Sequence, residues 1–168
     1  KTAYEIYLCD WSSDVCSSDL VLWTARFHYE NQHGNGGSPV LYKDLLILNC
    51  DGFDQAFVVA LDVATGRPRW KTPRRRPWSQ AYSTPLLVRE GEQDRVVSVG
   101  AFRAAAYDAA SGAEVWRVSY DDGFSNVPRP VAGHGMVYLT TGFQQPSLMA
   151  VRLGGSGDVT RTHVAWTL

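Results

Sequence analysis

From residue 21 onward, apolar residues come in short runs divided by turns rich in glycine, proline, aspartate and asparagine. No window holds the 3.6-residue period of an amphipathic helix, so the pattern predicts strands throughout. The clearest stretch is Val58-Val59-Ala60-Leu61, a run of the length and type that suits a buried strand, followed by turn chemistry at Asp62 to Gly66. An aspartate carboxylate can accept from turn N–H groups, and Gly66 tolerates positive φ without steric cost. An extended pattern resumes at Arg67 and carries one large ring, Trp70. The unit returns at Ala106, Asp108, Ser111, Gly112 and Trp116, 46 residues later (116 minus 70).

The rest of each repeat also follows one order. In the first full copy, residues 39–42 and 45–49 read as strands around a hairpin turn at Lys43-Asp44, and a loop with Asp51, Gly52 and Asp54 leads to the strand at Val58. The second copy places strands at 83–88 and 95–99 ahead of its Asp108 turn. The third has Pro130-Val131, a turn at Gly133-His134-Gly135, and strands over 136–140 and 147–153; Arg152 stands where the earlier copies have aspartate. An expanded turn over 154–159 follows, and the last strand ends on Trp166. Residues 21–27 look like the last strand of an earlier copy, with Trp23 47 residues before Trp70 (70 minus 23). Four short strands per repeat of this length are the sequence form of a propeller blade. The tryptophan has a physical task in it, because a ring of this size can fill the space between neighbouring sheets. The fold expected is therefore all-β: a partial β-propeller of about three four-stranded blades plus the last strand of a preceding blade. Its structural positions are Trp23, Asp62, Gly66, Trp70, Asp108, Gly112, Trp116 and Trp166.

Residues 1–20 stand outside this pattern. Read back into codons, residues 1–6 and 9–20 follow the two ends of a common short-read sequencing adapter in one frame, so 1–20 is read as a non-native, adapter-derived segment expected to be disordered and not to pack on the propeller domain at 21–168. The native N-terminus is then expected to lie outside this chain. Setting the segment aside removes Cys9 and Cys16 and leaves Cys50, which has no Cys-x-x-Cys or Cys/His spacing around it and reads as a small strand hydrophobe. No apolar run is long enough to span a bilayer. A net charge of −1 argues against a nucleic-acid partner.

In an up-and-down blade, the loop leading into the blade and the loop between its second and third strands open on one face. That face collects His33, Asn35, Asp51, Asp54, Gln80, Tyr82, Arg103, Asn126, Arg129 and Gln144. The opposite face collects ordinary turns. Loops near a propeller axis are where binding groups gather, so His33, Asn35, Asp51, Asp54, Tyr82, Arg103, Asn126 and Arg129 are the candidate ligand contacts, for a protein or a small molecule at the axis. Arg74-Arg75-Arg76 reads as a solvated loop. No G-x-S-x-G or other catalytic spacing occurs, and no metal site is expected.

At the repeat turns the chain resembles the PQQ-binding-like (BamB-like) β-propeller repeat family, whose blade motif is A-x-D-x-x-T-G-x-x-x-W. Ala60, Asp62, Thr65, Gly66 and Trp70 match every fixed position, and Ala106, Asp108, Gly112 and Trp116 match with Ser111 for Thr. The resemblance implies a periplasmic or secreted bacterial protein with a propeller of seven or eight blades, of which this chain would supply a fragment. It also raises the quinone cofactor by name. Quinoprotein dehydrogenases would bring a vicinal Cys-Cys pair and an acidic base beside calcium; no Cys-Cys is present, so no cofactor is expected. The function expected is a non-catalytic binding scaffold. The alternatives are a fragment of a quinone-dependent dehydrogenase and a platform of the outer-membrane protein assembly type.

Overall fold

The computed structural model describes the backbone of residues 3–9 and all of 21–74 and 80–168. The first sheet pairs β1 (Ala3–Cys9) with β2 (Val21–His28). Blade 1 runs β3 (Val40–Tyr42), β4 (Leu45–Asp51), β5 (Ala56–Asp62) and β6 (Pro68–Arg74), each antiparallel to the next. Blade 2 repeats the order with β7 (Leu86–Glu90), β8 (Gln93–Val99), β9 (Arg103–Asp108) and β10 (Glu114–Ser119). Blade 3 runs β11 (Val131–Gly133), β12 (Met136–Thr141), β13 (Ser147–Arg152) and β15 (Val164–Thr167). The expanded turn before β15 holds β14 (Gly157–Asp158), which pairs in parallel with β10, and one helical turn, α1 (Thr160–His163). The sheets do not close into a ring: the chain is a partial propeller.

The pleat explains why both faces of a blade are apolar. Successive side chains on a strand point to opposite faces. Leu46, Leu48 and Cys50 of β4 join Phe57, Val59 and Leu61 of β5 against Trp23, Ala25 and Phe27 of β2. The alternate residues Leu45, Ile47, Val58 and Ala60 face the other way, against Val96, Ala105 and Tyr107 of blade 2. A third core joins Val97, Val99, Ala104 and Ala106 of blade 2 to Val137, Leu139, Met149 and Val151 of blade 3. Every residue of β4 is buried, which accounts for its nearly continuous apolar sequence.

The Asp–Gly turns connect these layers. Asp62 Oδ1 accepts from the N–H and hydroxyl of Thr65 at 2.9 and 2.8 Å, and Gly66 N donates to Asp62 O at 2.8 Å. Asp108 and Ser111 repeat this at 2.9 and 2.7 Å, with Gly112 N on Asp108 O at 2.8 Å. Gly66 and Gly112 hold φ of 69° and 73°, and the ring of the preceding sheet's tryptophan lies over each: Trp23 over Gly66, Trp70 over Gly112. A Cβ on Gly66 would stand 2.5 Å from Trp23 Cε3. Trp23 Nε1 also donates to Val63 O at 2.7 Å. In blade 3, where Arg152 replaces the aspartate, Trp116 is fully buried and its Nε1 donates to Glu90 Oε1 at 3.2 Å. Trp166, with no following blade in this chain, is 39% exposed and stacks on Tyr138.

Two expectations are corrected. The first twenty residues do not all stand apart, because Ala3–Cys9 pairs antiparallel with β2 from Ala3↔His28 to Cys9↔Val21. The free edge of β2 presents unpaired N–H and C=O groups, and any extended segment that reaches it satisfies them. Residues 10–20, with Trp11 and Val15, lie outside the described residues. The expanded turn is also not plain loop: Val159 is buried in the third core and anchors α1 beside it.

Alanine substitutions separate backbone strain from ring docking. Gly91 also has positive φ, 60°, but nothing lies near its missing Cβ. Gly91→Ala is expected to cost about 1–2 kcal/mol, the left-handed penalty for an L-residue. Gly66→Ala and Gly112→Ala add the overlap with Trp23 and Trp70, and urea denaturation of the chain should place both well below Gly91→Ala.

Candidate functional site

The loop face of the propeller is built on a buried polar network that crosses blade boundaries. Asp51 ends β4 and Arg74 ends β6, and both are buried. Arg74 Nη1 donates to Asp51 Oδ2 at 2.7 Å and Nη2 to Asn49 Oδ1 at 3.2 Å. Ser98 of blade 2 donates to the same Asn49 oxygen at 2.7 Å, and Asn49 Nδ2 returns to Ser83 O at 2.8 Å. Gly100, where a Cβ would overlap the Arg74 guanidinium, offers its carbonyl to Tyr120 Oη at 2.6 Å and Asn126 Nδ2 at 2.8 Å. Asn126 Oδ1 then takes the Gly142 N–H at 2.9 Å, and Asn126 O the Tyr82 N–H at 2.8 Å.

Burial pushes the Asp51 carboxyl up to about 6, against the pull of Arg74 on its charged form. Burial also works against the Arg74 charge, but Asp51 together with Tyr107 and Tyr120 offsets it and the guanidinium stays protonated. Cys50 lies beside this pair, and burial pushes its thiol up to about 12, so it is an unreactive core residue.

Above the network, the loops that lead into the blades are tied to one another. Gln32 N donates to Gln80 Oε1 at 3.1 Å, Gln80 Nε2 to Gln32 Oε1 at 3.3 Å, and Ser125 N to Gln80 O at 2.7 Å. Ser83 Oγ donates to Pro128 O at 2.8 Å, and Ser38 N to Thr84 Oγ1 at 2.9 Å. Between these loops lies a cleft of about 550 Å³, whose walls include His33, Tyr82, Phe124, Val127 and Phe143. The His33 and Tyr82 rings are 6.2 Å apart on one side, and Phe124 and Phe143 5.5 Å apart on the other.

The expected contacts divide. His33, Asn35 and Tyr82 line the cleft. Asp51 and Asn126 are buried beneath it in the network, so their side chains are already spent. Asp54 is a turn cap, its Oδ1 accepting from Glu30 N at 2.6 Å and Gln55 N at 2.9 Å. Arg103 is only 17% exposed and pairs with Glu114. Arg129 is exposed in a separate depression with Ser38, Leu41 and Thr84. Arg74 is no loop residue, since it closes β6 and is buried against Asp51; Arg75 and Arg76 lie outside the described residues. Phe124 and Phe143 were not among the expected contacts. Their signal was present as aromatics set beside glycine, Gly123-Phe124 and Gly142-Phe143, in otherwise polar loops. Among the described residues no cluster of three or more His, Cys, Asp or Glu side chains is placed to hold a metal ion.

The profile of one family, described as outer membrane protein assembly factor BamB, matches residues 56–152. No curated protein matches the chain. Among solved structures, BamB from Moraxella catarrhalis aligns over 88% of this chain and 39% of its own length, with TM-score 0.54 and 17% identity. The quinohemoprotein alcohol dehydrogenase ADHIIG from Pseudomonas putida aligns over 83% and 21%, with TM-score 0.58 and 17% identity. That of Comamonas testosteroni aligns over 83% and 21%, with TM-score 0.61 and 17% identity. At this identity the likeness concerns the fold, and the chain spans well under half of each of these proteins.

The network makes two predictions. Arg74→Met leaves the Asp51 carboxyl buried without its partner and should cost about 3–5 kcal/mol in urea denaturation. The pH dependence has a definite sign. A carboxyl raised in the folded state contributes stability that is fully present below its ordinary value of 3.8 and lost as pH rises through about 6. Between about pH 4 and pH 6 the chain should therefore lose stability through this group, and Asp51→Asn should abolish that component of the slope.

Proposed function

Because this chain belongs to the family of the outer membrane protein assembly factor BamB, we propose that it is a non-catalytic binding scaffold, periplasmic or secreted, that holds its partner on the loop face of the propeller. The observation that carries this reading is the division of labour across the loop face. The buried pair Asp51 and Arg74 is consumed in bonds between strands, with the amide of Asn126 bonded across to blades 2 and 3, while the cleft above takes its walls from loops leading into all three blades. A pocket of this size, apolar with a few polar groups, suits recognition.

The likeness to quinohemoprotein alcohol dehydrogenases raises the quinone, and the residues here do not fit it. A calcium ion at such a site takes six to eight oxygen ligands. Asp51 already faces Arg74, Asp54 caps a turn, and the described cleft lining carries no carboxylate. We therefore derive no step through the quinone. The assembly-platform reading differs only in naming a client, and it shares the loop-face prediction.

A photoreactive residue at Gln144, exposed on the loop face, is expected to cross-link other envelope proteins in the source organism, while one at His134, exposed on the opposite face, gives none. Equal labelling from both positions would sink the scaffold reading. So would alcohol-dependent dye reduction by the chain supplied with pyrroloquinoline quinone and Ca²⁺.

A further inference from the structure

We infer that the loop-face cleft receives an aromatic side chain flanked by basic residues on an extended segment of a partner protein, which rests on the scaffold reading above. Five observations converge on that occupant. The cleft walls are two aromatic pairs that face a common space, His33 with Tyr82 and Phe124 with Phe143. Rings prefer offset or tilted contact with other rings, and both pairs are themselves tilted. The described lining contains no Lys, Arg, Asp or Glu, so the group that enters is uncharged.

The backbone under this wall is held in an uncommon conformation. Phe102 has φ of 60° and Ser125 φ of 54°. A bulky residue at positive φ is a genuine outlier, and such strain gathers where function requires a fixed geometry. Phe102 props Phe124 at 6.2 Å, and Ser125 follows Phe124 directly. Among the described residues, the other two non-glycine residues with positive φ, Lys43 and His134, sit in hairpin turns, where this conformation is ordinary.

The mouth of the cleft is wide and apolar, since its own wall residues Phe143 and Val127 are 66% and 60% exposed, and such a mouth admits a side chain while the backbone that carries it stays outside. Charge sets the flanks. Asp44, Asp51, Asp62, Asp94, Asp108 and Asp158 each pair with an arginine. Asp121 and Asp122, three and two residues before Phe124, are exposed and form no ion pair among the described residues. Two unpaired carboxylates beside an uncharged aromatic cleft complement a ring flanked by lysine or arginine.

The test is calorimetric titration of the full chain with capped pentapeptides Gly-Lys-Phe-Lys-Gly, Gly-Lys-Ala-Lys-Gly and Gly-Glu-Phe-Glu-Gly, and with N-acetylphenylalanine amide. The first is expected to bind at least about tenfold more tightly than each of the others. Phe143→Ala, at an exposed position, should remove most of the preference for phenylalanine over alanine. Asp121→Asn with Asp122→Asn should keep that preference and remove the preference for lysine over glutamate together with its salt dependence. No discrimination between phenylalanine and alanine, or binding untouched by Phe143→Ala, overturns the inference. N-acetylphenylalanine amide binding as tightly as the first peptide overturns the polypeptide occupant. Failure of all peptides while Gln144 still cross-links selectively overturns this inference and leaves the scaffold reading standing; loss of both removes the scaffold as well.

Discussion

The contact between a tryptophan ring and the glycine of the next blade's turn governs the rest of this molecule. It joins three separate requirements in one place. The aspartate oxygen closes the turn on Thr65 or Ser111, the closed turn holds glycine at positive φ, and the absent side chain lets the ring of Trp23 or Trp70 lie flat against the backbone. Neither sheet could bury its inner face without the other, because each blade is apolar on both sides. The step recurs from Trp23 to Gly66 and from Trp70 to Gly112, so the angle between those sheets is set locally.

Where the step is altered, the compensation is visible. Blade 3 lacks the aspartate, and Glu90 takes over, accepting from Trp116 Nε1 and from Gly154 N in the turn that replaces the missing one. A carboxylate from one blade thus holds both the ring of its own sheet and the backbone of the next. The polar network at the loop end works on the same principle with different groups: Asn49, Arg74, Gly100 and Asn126 each bond across a blade boundary or support a group that does.

The fold was legible because its determinants are local and periodic. Alternation, turn residues and the spacing of Trp23, Trp70, Trp116 and Trp166 can be read along the chain, and the structure places them in successive sheets. The site was legible only by face. His33, Asn35 and Tyr82 reach the cleft, but Asp51, Asn126 and Arg103 belong to the scaffold beneath and beside it. Whether a polar loop residue points outward or is taken up by a neighbour depends on partners from another repeat, and sequence spacing does not reveal them. Arg74 illustrates this: as one of three consecutive arginines it reads as solvated, yet its partner lies 23 residues earlier on β4. Likewise the pairing of β1 follows from an open edge, not from any signal within residues 3–9.

The parallel strand β14 has a consequence for access. It lies along β10, with Val159 N on Arg117 O at 2.9 Å and Thr160 Oγ1 accepting from Ser119 N at 2.9 Å. The perimeter of blade 2 is therefore already occupied. On blade 1 the perimeter strand β6 carries Pro68 and Pro73, which bring no N–H to an incoming chain. These two stretches of the molecule's circumference are poor templates for uninvited strands, a safeguard against sideways polymerisation that costs the loop face nothing.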